Sequence, residues 1–91
     1  MIITHLNIKI YGKVQGVFFR SYAKNEAEEL SIKGFVKNEI DGSVYMESEG
    51  ERPDLEEFIE RLRRPPKSAK VERVDVEEGE IKGYNGFDVI L

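Results

Sequence analysis

The chain's 91 residues are enough for one domain with a single two-layer core, spanning residues 1–91. Fourteen Lys and Arg against eighteen Asp and Glu leave a formal charge of −4, which argues against general affinity for nucleic acid or anionic membranes. There is no cysteine and a single histidine, His5, so disulfides and thiolate metal sites are excluded and imidazole catalysis has little to draw on. No apolar run approaches the ~20 residues of a membrane span, and the N-terminus lacks a signal-peptide pattern, so the expected location is the cytoplasm.

Residues 2–11 alternate, with Leu6, Ile8 and Ile10 on one face and His5, Asn7, Lys9 and Tyr11 on the other, as in a half-buried strand. His5 reads as a strand residue without a special role. Gly12 and Gly16 mark a loop. From Phe19 the period changes to that of a helix over about residues 20–31, with Phe19, Ala23, Ala27 and Leu30 as its apolar stripe. A strand follows over roughly 33–39, with Val36 and Asn38 on one side and Phe35 on the other. Asp41-Gly42 signals a hairpin, and the return strand, about 43–49, is closed by Gly50.

Pro53 and the acidic residues after it open a second helix, with Leu55, Phe58, Ile59 and Leu62 as its stripe. Arg61, Arg63 and Arg64 suit its C-terminal end, and Pro65-Pro66 stops it. In the strand near 69–76 the apolar parity slips between Val71 and Val74, which predicts a bulge. Polar residues 77–86 carry turn signals, and Phe87 to Leu91 forms a last short strand. The order is βαββαβ plus a short C-terminal strand. Each helix has a single apolar stripe, so both are expected on one face of a mostly antiparallel sheet, a ferredoxin-like α+β sandwich.

The loop of residues 12–20 is the first candidate site. Its glycines allow successive N–H groups to point inward as an anion-binding nest. Arg20 falls where the helix begins, beside partial positive charge, a placement that favours an anion between the two. A guanidinium fork suits phosphate or carboxylate. A surface pair with Glu26 is the structural alternative. Asn38, at the end of a strand and before a hairpin, can hold a water by donating and accepting at once, or can simply start a turn. Tyr11, Phe35 and Tyr45 are expected to share the sheet face away from the helices, and Lys33-Gly34-Phe35-Val36 faintly echoes an RNA-recognition strand. The acidic balance favours ordinary packing for them. Neither a Walker motif nor a Ser-His-Asp set is present.

Gly12-Lys13-Val14-Gln15-Gly16-Val17-Phe18-Phe19-Arg20 resembles the signature of the acylphosphatases, and Gly34-Phe35-Val36-Lys37-Asn38 with Asp41-Gly42-Ser43-Val44 resembles that family's second signature block. The resemblance implies hydrolysis of the carboxyl–phosphate anhydride of a small acyl phosphate, by a monomer, without metal or cofactor. It implies that the backbone amides of Gln15, Gly16, Val17, Phe18, Phe19 and Arg20 cradle the phosphoryl group. Arg20 would also hold it through its side chain, and Asn38 would orient the attacking water. Such chemistry asks for alignment and charge stabilisation more than for a protein acid. Carbamoyl phosphate is an alternative substrate, since the same domain occurs within carbamoyl-transfer proteins. The chain departs from the family pattern at Ser31-Ile32, where Gly-Leu is usual, and at Phe35, often Trp. Glu39 directly after Asn38 is a further departure, and parity should turn its charge to the opposite face.

Overall fold

A computed structural model describes residues 2–16 and 18–91. In chain order the elements are β1 (Ile3–Lys13), α1 (Phe19–Glu29), β2 (Lys33–Asn38), β3 (Val44–Glu51), α2 (Arg52–Arg63), β4 (Lys70–Gly79) and β5 (Phe87–Ile90). The strands form one sheet in the order β4-β1-β3-β2-β5, antiparallel except where β5 runs parallel to β2. Helix α1 packs on β2 and β5, and α2 on β3 and β4, so both lie on one face as the stripes predict. This is the ferredoxin-like α+β arrangement that the element order predicts.

Burial follows the periodicities. Leu6, Ile8, Ile10, Val36, Val44 and Met46 face the helices from the sheet. Phe19, Ala23 and Ala27 from α1 and Leu55, Phe58 and Leu62 from α2 close the core over them. Small alanines on α1 let that helix sit close to β2. Gly34 permits a second close approach. Its φ is +148°, and a Cβ there would stand 1.8 Å from the Glu47 carbonyl oxygen.

Several boundaries differ from the sequence reading for local reasons. Strand β1 runs past Tyr11 to Lys13, so Gly12, read as part of the loop, is paired with Val71 of β4. Strand β3 continues through Gly50 to Glu51, because β1 offers partners down to the Ile3↔Glu51 pair. Strand β4 likewise extends to Gly79, paired with His5, into a stretch whose polarity suggested a loop. Helix α1 ends at Glu29, and Ser31 takes a left-handed φ of +58°, the conformation glycine adopts most cheaply after a helix. The Gly usual at this position in the family that the sequence resembles therefore has a backbone reason. The bulge is where the parity slips: Tyr11 pairs with Arg73 and Gly12 with Val71, leaving Glu72 unmatched.

His5 departs from its expected plain role. It is 1% exposed on the sheet face opposite the helices, with Nδ1 2.6 Å from Glu49 Oε2 and Nε2 2.8 Å from Asn7 Oδ1. Glu49 also accepts backbone N–H bonds from Lys82 (2.6 Å) and Gly83 (3.0 Å). Glu47 accepts from the Tyr45 hydroxyl (2.8 Å), the Tyr84 hydroxyl (2.5 Å) and Lys82 Nζ (3.1 Å). Burial alone would raise both carboxyls, but these donors outweigh it. Glu47 is held down at about 2, and Glu49 is also lowered. Two glutamates of β3 thereby grip the segment that leads into β5.

Candidate functional site

Helix α1 begins without a capping side chain. Its N-cap, Phe18, lies in the left-handed region at φ +62°, and its first turn holds no acidic residue. The Tyr22 N–H bonds the Phe18 carbonyl at 3.1 Å. The amides of Phe19, Arg20 and Ser21 come before it, and these first-turn N–H groups have no acceptor within the helix. Gly16, at φ +72°, turns the preceding loop with no obstruction near its α-carbon. Buried Val14 anchors the loop's entry, and Phe19 anchors its exit. A cavity of about 310 Å³ is lined by Val14, Gly16, Phe18, Phe19, Arg20 and Ser21, together with Val89 and Leu91. A helix N-terminus, whose first amides have no acceptor within the helix, and a guanidinium border this cavity, an arrangement suited to a phosphate-sized anion. Val17, one of the amides expected in the cradle, lies outside the described residues.

Arg20 makes no ion pair among the described residues, so the alternative pairing with Glu26 is not adopted. Glu26 instead faces Arg61 at 3.3 Å, within a cluster that includes Glu29 and Glu57. Arg20 donates from Nη1 to the Ile90 carbonyl of β5 at 2.8 Å. That bond fixes one arm of the fork and leaves the remaining donors for a ligand. Ile90 pairs with Lys37 of β2, one residue before Asn38. The register thus brings Arg20 and Asn38 to the same end of the sheet. Asn38 is exposed at the last position of β2, and strand alternation puts it on the helix side together with buried Val36.

Glu39 lies on the opposite side, as parity predicts, with Oε2 3.9 Å from Lys37 Nζ. The hairpin after it is closed by Glu39 N–H to the Ser43 carbonyl at 2.9 Å. Asp41 Oδ1 accepts from the Ser43 hydroxyl (2.5 Å) and amide (3.0 Å). These bonds and Lys9 hold the Asp41 carboxyl at about 2.

The side chain of Gln15 is the contribution that sequence reasoning missed, having assigned only its backbone. Its Nε2 donates to the carbonyls of Glu39 and Ser43, both at 2.8 Å. One amide therefore ties the loop to the hairpin that carries Asn38. A polar residue with no periodic role, placed between two glycines, was the available signal. The aromatic face offers less to a nucleic acid than an open platform would. Tyr84 packs edge-on to Phe35 at 5.9 Å, Tyr45 lies 6.0 Å from Phe35, and Tyr11 stacks under Arg73 at 4.1 Å. Among the described residues no group of three His, Asp or Glu side chains is arranged to hold a metal ion, and no helix is long and apolar enough to cross a membrane.

The family model described as acylphosphatase matches residues 6–89. A relative from Archaeoglobus fulgidus named acylphosphatase is 43% identical over 84 residues, covering 92% of this chain and 94% of its own. Among solved structures, an acylphosphatase from Coxiella burnetii superposes with a TM-score of 0.92 at 39% identity, covering 97% of this chain and 93% of that one. One from Bacillus subtilis gives 0.94 at 31% identity, covering 99% of this chain and all of the other. A portion of full-length HypF, 12% of that chain, is also similar, with a TM-score of 0.87 and 35% identity.

Proposed function

Because the chain belongs to the acylphosphatase family and is a hydrolase of acyl phosphates, we propose that its chemistry takes place in the cradle between the α1 N-terminus and the end of β2. The amides of Gln15, Gly16, Val17, Phe18, Phe19 and Arg20 receive the phosphoryl oxygens. Arg20 adds its free guanidinium donors, and Asn38 holds the attacking water by its amide. The observation that carries this reading is the anchoring of Arg20 to Ile90, beside the β2 residue that precedes Asn38. A guanidinium locked in place before substrate arrives stabilises developing charge without reorganisation. The leaving carboxylate needs no protein acid, and no metal or cofactor enters the scheme.

The same reading takes the protein to be a cytoplasmic monomer acting on small soluble acyl phosphates. Wild-type protein, eluting at the mass of one 10.5 kDa chain, is expected to hydrolyse benzoyl phosphate in the presence of a chelator. Arg20→Ala and Arg20→Lys are both expected to lose on the order of 10²–10³ in rate or more, the lysine because it lacks the planar fork. Near-wild-type turnover by either variant would remove Arg20 from the mechanism. Carbamoyl phosphate belongs in the same assay, and faster turnover of it than of benzoyl phosphate would redirect the substrate assignment.

A further inference from the structure

The acyl half of the substrate also requires a place, and the proposed reaction geometry restricts where it can lie. In-line displacement sets the attacking and leaving oxygens on opposite sides of phosphorus. With water held at the end of β2, the carboxylate departs from the side of the cradle away from the β2–β3 hairpin. Gln15 faces that hairpin. At the other end of the loop, Phe18 and Phe19 face a second concavity of about 240 Å³, between the start of α1 and the α2–β4 connection. Phe18, Phe19 and Ser21 line both cavities, so the groove adjoins the phosphate cradle.

The groove's chemistry is distinct from that of the surrounding surface. Tyr22, Pro65, Pro66 and Ala69 supply apolar walls, and among the described lining residues the charge is that of Lys67, with no carboxylate. In a chain with eighteen acidic residues, such a groove admits an anionic molecule with an apolar end. Phe18 is 85% exposed although its ring is large and apolar. A flat group stacked on it would bury surface that the protein itself leaves in water.

We propose that this groove is the acyl subsite and that it favours flat apolar acyl groups, aryl groups above all, seated between Phe18 and Pro65-Pro66. The inference rests on the phosphate site proposed above for the direction of the leaving group. Hydrophobic pockets of this kind discriminate by roughly 10–200-fold per group accommodated. The test compares kcat/KM for benzoyl and acetyl phosphate in wild type, Phe18→Ala and Pro66→Ser, with circular dichroism to verify folding.

The benzoyl-to-acetyl ratio is expected to fall about tenfold in Phe18→Ala and about threefold in Pro66→Ser, mainly through a higher KM for benzoyl phosphate. A ratio unmoved by Pro66→Ser overturns the subsite, whatever Phe18→Ala does, because Pro66 contributes no amide to the proposed cradle. Dissociation constants of phenylphosphonate and methylphosphonate give the same ratio without turnover. An inactive protein that kept a Pro66-sensitive preference for the phenyl ligand would reject the hydrolytic site while supporting the groove. Absence of that preference in an active protein would do the reverse.

Discussion

Gln15, Arg20 and Asn38 differ in how each is held, and the difference sets what their substitution does. Arg20 is restrained by one carbonyl and Gln15 by two, whereas Asn38 ends its strand exposed. Asn38→Ala therefore removes little packing. It is expected to lower the rate of acyl phosphate hydrolysis by on the order of 10²–10³, about 2.7–4 kcal/mol, with urea stability close to wild type. Parallel kinetics and denaturation curves check it, and a variant retaining most of its activity would take water positioning away from this residue. Arg20 and Asn38 stood out in the sequence by residue type and position, and the fold brings both to the same end of the sheet. The side-chain role of Gln15 was not, because hydrogen bonds spanning 24 and 28 residues leave no periodic trace.

At the scale of elements, the hydrophobic alternation was sufficient to place the strands and helices, and the parity slip at Val71–Val74 located the bulge. The ends of β3 and β4 were not legible, since pairing with β1 extends both past the residues that have the propensity. The pairing of β5 was hidden for a similar reason: four residues carry no mark of a parallel neighbour. Gly34 shows an element-level constraint that periodicity does not reveal. Gly34→Ala would place a methyl carbon 1.8 Å from the Glu47 carbonyl oxygen, where backbone must move. A loss of about 3 kcal/mol or more is expected from urea unfolding, with β2 displaced from β3. An alanine variant within about 0.5 kcal/mol of wild type would show that the two strands separate easily.

Across the whole molecule, the buried carboxylates of β3 connect stability to pH. Glu47 is held at about 2 in the folded chain against 4.5 for the ordinary carboxyl, and Glu49 is also lowered. A depressed folded pKa contributes stability that is complete above the unfolded value and is lost as pH falls through the folded one. Stability should thus be flat near neutrality and decline from about pH 4.5 toward about 2, with on the order of 2 kcal/mol lost by about pH 3. Urea midpoints across that range measure it. Glu47→Gln should flatten the decline and lower stability at neutral pH, since Tyr45, Tyr84 and Lys82 lose an ionised acceptor. An unchanged pH slope in Glu47→Gln would assign the acid sensitivity elsewhere. This network lay beyond sequence reasoning because alternation marks Glu47 and Glu49 as solvent-facing, and the segment of residues 80–86 covers them from a distance in the chain.

The bond from Arg20 to Ile90 joins residues 70 apart. Chain entropy makes such a closure about 2.5 kcal/mol harder than the four-residue separation from Glu39 to Ser43 that closes the hairpin. β5 is also an edge strand, with β2 as its sole sheet neighbour. The arginine's alignment is thus conferred by an edge strand, the one farthest from it along the chain. On the proposed mechanism, fraying at that edge would free the guanidinium and lower activity while Leu6, Ile8 and Met46 stay packed in the core.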